Sequence, residues 1–257
     1  MIKIEKYEKF FEEYTERYLS QTKNNSERLH MSRKKYHSIR VKDFALEIAK
    51  TLDFTEYELQ IMLITALFHD IGRFKQFKLY NTYVDSISEN HAILGVKILK
   101  EEKILSELFE DDKKIILKSI ELHNLKDLPN DLDKNLYKYV TVLRDADKID
   151  WLYACANIIP GIPKNEQRVF FCDNDIEYGI RKEIVDKVLN CSVIDKRILQ
   201  TQDEVRAFGF GYITSSLVYK KSLEIIKEQN IIDKIYDQME KNDESKKIYE
   251  FVKEKIY

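Results

Sequence analysis

The chain has 257 residues, 44% hydrophobic and 34% charged, with only six Gly and three Pro. That balance predicts a soluble, globular chain able to bury a sizeable core, and the scarcity of breakers favours long helices over turn-rich β architecture. Lys and Arg number 43 against 45 Asp and Glu, a formal charge of -2, which supplies no global field for recruiting nucleic acid or an anionic membrane.

The start, Met1 to Lys6, lacks the apolar core of a secretion signal, and the longest apolar run is far below membrane-spanning length, so no export or membrane role is expected. Tyr7, Phe10, Phe11, Tyr14 and Tyr18 form a helix-spaced aromatic stripe that reads as packing surface, and Gln21 to Ser26 reads as a polar loop. His30 is expected on the loop entering the next helix. From about Ser32 the amphipathic pattern sharpens: Val41, Phe44, Ala45, Ile48, Ala49 and Leu52 recur at helical spacing, and His37, four residues before Val41, shares their face.

Leu59 to Phe68 is apolar around nearly its whole circumference, as a central bundle helix requires. Thr55 with Glu58 predicts a capping box at its start, and Gly72 predicts its end, just beyond His69-Asp70. His91 opens a stripe continued by Leu94, Gly95, Ile98 and Leu99; His123 closes one made by Ile116, Ser119 and Ile120. A further helix is expected from Leu136 to Ala156, with Leu136, Tyr139, Val140, Leu143, Asp147, Asp150 and Ala154 along one face. Asp145 lies about 200° around the axis from Leu143, so Asp147 is selected as the inward carboxylate and Asp150, one turn on, as a residue that would support the metal ligands from behind.

Ile159 to Pro163 is the clearest break. Beyond it the pattern predicts a short stretch, Arg168 to Cys172, open to an extended reading, and then helices around Glu177 to Leu189, Asp203 to Gln229 and Ile231 to Lys255. Gly209-Phe210-Gly211 lacks the strand and third glycine of a dinucleotide fingerprint and is expected to permit close helix packing or a kink. Arg168, Arg181, Arg197 and Arg206 are available in this part for recognising a base or sugar. The three cysteines, Cys155, Cys172 and Cys191, are odd in number and widely spaced, which fits reduced thiols in a cytoplasmic protein.

Four of the five histidines thus fall on inward faces, one directly followed by Asp, and an inward Asp arrives on a later helix. Burying so many ionisable groups without a compensating cation is costly, so the series reads as a metal site assembled from several helices.

This series resembles the HD superfamily of metal-dependent phosphohydrolases, and His69-Asp70-Ile71-Gly72 is the form that names its HDIG branch. The resemblance covers residues 33 to 155. It implies an all-α fold, a multi-helix HD-domain bundle with a C-terminal helical extension: one all-helical unit over 1–257, a metal-binding core over 33–155, and an extension over 156–257 that shapes the substrate pocket. It maps His37, His69, Asp70, His91, His123 and Asp147 onto the metal ligands, and Ala146-Asp147-Lys148 matches the Ala that commonly precedes the final Asp. By similarity His37, His69, Asp70 and Asp147 would hold one divalent ion and Asp70, His91 and His123 a second, Asp70 bridging them and orienting a hydroxide; the ions' identity, among Mn, Fe, Co, Mg or Ni, is left open.

The activity so implied is hydrolysis of a phosphoester, mono- or diester, of a nucleotide or related small molecule by a metal-bound hydroxide, between ions roughly 3.5 to 4 Å apart. Arg73 stands where nucleotidase-like members tend to carry an acid, and is a candidate phosphate contact. Lys148 and Arg40 are further candidates. The alternatives within the same resemblance are a di-iron oxygenase and a non-catalytic sensor binding a metal or nucleotide. A small phosphorylated substrate is the expected partner, with no strong nucleic-acid signal, and the chain is expected as a monomer or homodimer.

Overall fold

The computed structural model describes residues 2–167 and 176–257, the side chains of residues 165 and 166 excepted. The described residues are all-α: helices and short 3-10 turns with no strand among them. They divide into two compact units, Met1–Asp147 and Lys148–Tyr257.

The first unit holds α1 (Ile4–Leu19), α2 (Asn25–Ala49), α3 (Glu56–Phe68), α4 (Gly72–Tyr80), α5 (His91–Glu101), α6 (Glu110–Leu122) and the first half of α7 (Lys134–Asn157). α3 is its axis. Leu59, Ile61, Met62, Ile64, Thr65, Ala66, Leu67 and Phe68 are all buried, and α1, α2 and α6 pack around them. The expected capping box is present, Thr55 accepting from the Glu58 amide while the Glu58 carboxylate accepts from the Thr55 amide at 2.7 Å. The aromatic stripe of α1 is packing surface: Tyr7, Phe10 and Phe11 stand around the Phe68 ring, and Phe11, Tyr14 and Tyr18 around Phe74. Full burial of such a ring, as at Phe11, Phe68 and Phe74, contributes roughly 1.5 to 3 kcal/mol. α2 starts earlier than the pattern indicated, at an Asn24 N-cap, so His30 lies within the helix, half-buried and 6.0 Å from the Phe77 ring, rather than on an entry loop.

Gly72 does not end α3. That helix stops at Phe68, and Gly72 opens α4, where a Cβ would stand 2.1 Å from the His91 carbonyl oxygen and 2.8 Å from the Gly95 amide nitrogen. The glycine is there so that α4 and α5 can approach closely, a requirement that local sequence does not display. The left-handed terminator of the segment is Asn81, with φ of 53°, which ends α4.

The second unit continues α7 and adds a 3-10 turn at Ile159–Gly161, α8 (Lys164–Gln167), α9 (Lys182–Leu189), α10 (Gln202–Ser215), α11 (Lys220–Glu228), α12 (Ile231–Asp237) and α13 (Asp243–Ile256). α10 packs against α9 and α13. The two long C-terminal helices expected from the pattern are each divided: a break at Ser216 separates α10 from α11, and an Asn242 N-cap, in a reciprocal box with Ser245, starts α13. Gly209 permits close packing as expected, since a Cβ there would meet Trp151 at 2.4 Å. The stretch Arg168 to Cys172 lies outside the described residues. No helix among those described is long and apolar enough to cross a membrane.

Candidate metal centre

Five segments of the first unit deliver side chains to one place. α2 brings His37, the end of α3 brings His69 and Asp70, the start of α5 brings His91, the residue after α6 is His123, and α7 brings Asp147. Their donor atoms cluster as three overlapping groups: His37, His69 and Asp70; His69, His123 and Asp147; and Asp70, His91 and His123, each within 4.8 Å.

Asp70 stands at the centre. Its Oδ2 is 3.4 Å from His37 Nε2 and 3.9 Å from His69 Nε2, while its Oδ1 is 3.2 Å from His91 Nε2. His37 Nε2 is 3.2 Å from Asp147 Oδ1 and 3.1 Å from His69 Nε2; His91 Nε2 is 3.2 Å from His123 Nε2. All four Nε2 atoms point inward.

For three of the rings the outward nitrogen explains why. His69 Nδ1 lies 2.7 Å from the Ala66 carbonyl, His123 Nδ1 2.6 Å from the Ile120 carbonyl, and His91 Nδ1 2.7 and 3.0 Å from the two carboxylate oxygens of Asp85. Each partner is an acceptor, so each ring carries its proton on Nδ1 and turns the Nε2 lone pair into the cluster. Burial, reinforced by nearby positive groups, holds His91 and His123 down at about 4, and burial lowers His69 against the pull of Asp70 and Asp147, so all three rings are neutral near pH 7. The carboxylates go the other way. Burial works against ionised Asp70, but Lys34 and Arg73 more than offset it and hold Asp70 well below the usual carboxylate range; contacts with His37, His69 and His123 lower Asp147 likewise. Three neutral imidazoles and two ionised carboxylates are the protonation states in which these groups bind a divalent cation, so the residues present fit a metal.

The sequence reading missed two residues. Lys34, one turn before His37, places Nζ 2.8 Å from Asp70 Oδ2. Asp85, in the irregular segment between α4 and α5, is a hub: besides His91 it accepts from Arg73 Nη1 at 3.0 Å, Gln76 Nε2 at 2.8 Å and Asn124 Nδ2 at 3.3 Å. Lys34 could have been found from its i, i+3 spacing to His37. Asp85 could not, because a 3-10 turn has no period from which to read a side chain's direction.

The candidates for phosphate contact have other surroundings. Arg73 donates through Nη1 to Gln76, to the Tyr83 carbonyl at 2.6 Å and to Asp85, with Nε 3.4 Å from Asp70 Oδ1, so its cation is committed to the protein's own acceptors. Arg40 is half-buried on α2. Lys148 and Asp150 fall in the second unit, where Lys148 Nζ donates to the Ser216 carbonyl at 2.9 Å. Burial, helped by Asp150, pushes the Cys155 thiol up to about 12 against the pull of Arg206. Of the arginines considered for base or sugar recognition, Arg181 pairs with Glu204, Arg197 with Asp195 and Arg206 with Asp203; Arg168 lies outside the described residues.

Residues 35–152 match the model of a family described as the HD domain. No curated protein and no solved structure matches the chain. The match over residues 35–152 is consistent with the HD superfamily of metal-dependent phosphohydrolases.

Proposed function

We propose that this protein is a phosphohydrolase that cleaves a phosphoester of a nucleotide or a related small phosphorylated molecule, using two divalent ions shared through Asp70. The observation that carries the reading is the division of labour at that carboxylate: Oδ2 faces His37 and His69, and Oδ1 faces His91. His37, His69 and Asp147 would complete one half of the site, His91 and His123 the other.

Divalent ions held there would supply Lewis acidity toward phosphoryl oxygens and lower the pKa of water, so that a nucleophile is available near neutral pH. The protein's part is orientation and electrostatics. The Ala66 and Ile120 carbonyls fix the rings of His69 and His123, Asp85 fixes that of His91, and Lys34 and Arg73 keep Asp70 ionised. A phosphate ester suits a centre of this kind because charge accumulates on its oxygens in the transition state, where fixed positive groups act most strongly.

The test is metal analysis of the purified full chain together with a screen of phosphate release from nucleotides and bis-nucleotides with Mn, Fe, Co, Mg and Ni. Turnover with at least one metal is expected. His91→Ala or His123→Ala should remove about one equivalent of metal and Asp70→Ala should disturb both. An iron-loaded sample that consumes oxygen and releases no phosphate with any metal would falsify the reading.

A further inference from the structure

Lys34 Nζ shares Asp70 Oδ2 with His37 and His69, so an ammonium ion sits against the very oxygen that the proposed function assigns to a divalent cation. Two cations on one carboxylate oxygen repel, and the repulsion is strong where burial lowers the local dielectric. Lys34 then needs another anion. Its side chain is 26% exposed on a flexible stem, which lets the ammonium swing within reach of solvent, whereas Arg73 is 15% exposed and tied to Asp85, Gln76 and the Tyr83 carbonyl.

A second group waits beside it. The Tyr83 ring lies 5.7 Å from Lys34 Nζ and stacks on Phe77 at 4.8 Å, and the tie from its carbonyl to Arg73 fixes the backbone. Its hydroxyl oxygen is buried and has no hydrogen-bond partner. Buried hydroxyls are almost always satisfied, and an orphan beside a cationic cluster marks the place of an acceptor. Burial raises the phenol's pKa, so it keeps its proton and can only donate to an anion; the charges around it are those of Arg73, Asp70 and Arg33.

We propose that Lys34 and the Tyr83 hydroxyl form the protein's grip on the substrate's phosphoryl group: the ammonium leaves Asp70 when a divalent ion binds and pairs with phosphoryl oxygens, to which Tyr83 donates a hydrogen bond. The inference rests on the phosphohydrolase reading. It assigns to the substrate a cation that can change partners, and it gives Lys34 two consecutive partners of the same charge.

The test uses the full chain as wild type, Lys34→Met, Lys34→Arg and Tyr83→Phe, loaded with Mn, with inorganic phosphate as the probe in calorimetric titration and metal content and metal-free melting temperature as further readouts. Lys34→Met should weaken phosphate binding about tenfold to a hundredfold when compared at equal Mn occupancy, which the metal content establishes. Lys34→Arg should keep most of the phosphate affinity. Tyr83→Phe should weaken it about threefold to tenfold without lowering the metal-free melting temperature, since the hydroxyl has no partner to lose. Phosphate affinity unchanged in both Lys34→Met and Tyr83→Phe overturns the inference and leaves the phosphohydrolase reading standing. Failure of the metal-loaded wild type to bind phosphate overturns both. If Lys34→Met does not fold, Tyr83→Phe decides.

Discussion

Asp85 accepts from His91 Nδ1 through both oxygens and is itself held by Arg73, Gln76 and Asn124. Replacing it with Asn removes the charge that fixes the His91 tautomer and leaves the Arg73 cation short of a half-buried anionic partner. Asp85→Asn should therefore weaken metal binding about tenfold to a hundredfold, selectively at the half of the site that contains His91 and His123; metal titration that gives wild-type affinity for both equivalents would refute it. The same rings predict a pH dependence in the metal-free protein. His91 and His123 are held at about 4 when folded against 6.5 for an ordinary histidine, so between those values the unfolded chain binds protons that the folded chain does not. The stability conferred by two neutral buried rings is complete above pH 6.5 and is lost as pH falls toward 4. The loss should reach about 1 to 3 kcal/mol per ring. Melting temperature followed from pH 7.5 to 4.5 in the presence of chelator should fall along this limb, and His123→Asn should make it shallower.

Helices carry these residues, and their contacts explain which features were readable from the chain. Long periodic segments were: α3, α5 and α6 bury the residues that their spacing selects, and the histidines ride on those faces. Burial was less decisive on α7, which is buried on several sides. Asp145 and Asp150 are buried, yet it is Asp147, with a side chain 36% exposed, that lies against His37. Helical angle picked out Asp147, whereas burial alone would have chosen one of its neighbours. Asp85 and the role of Gly72 were out of reach for a common reason: each depends on a partner brought in by another segment. The atoms that an added methyl would meet at Gly72, the His91 carbonyl oxygen at 2.1 Å and the Gly95 nitrogen at 2.8 Å, are both backbone, which cannot move aside without moving the helix. Gly72→Ala should push α5 away from α4 and displace His91 with it. Expected are a destabilisation of about 1 to 3 kcal/mol or more, read as a lower denaturant midpoint, and loss of metal content. Gly161→Ala, where nothing stands within 4 Å, is the control and should change stability by less than about 0.5 kcal/mol. A Gly72→Ala protein with the stability and metal content of that control would show that the two helices can part without consequence.

At the scale of the molecule, all six candidate donors belong to one of the two compact units, with Asp147 the last residue before the division. That unit holds His69, Asp70, His91 and His123 buried together, an arrangement whose desolvation is costly without a compensating cation. A ligand that binds only the folded form stabilises it by mass action, about 2.7 kcal/mol at a hundredfold excess over Kd. The gain belongs to the structure that the ligand holds together: α2, the α3 terminus, α5, α6 and α7 carry the donors, whereas the packing of α10 against α9 and α13 is built from apolar faces and from the pair of Arg181, at the start of α9, with Glu204. Hydrogen exchange on the full chain with Mn and with chelator should separate the two. Amides of α2, α3, α5 and α6 should slow on metal addition, because their opening must release the ion, while those of α9 to α13 keep their metal-free rates. Equal slowing in α9 to α13 would mean that the stabilisation is not confined to the unit carrying the donors, and absence of slowing anywhere would mean that the cluster does not bind the ion.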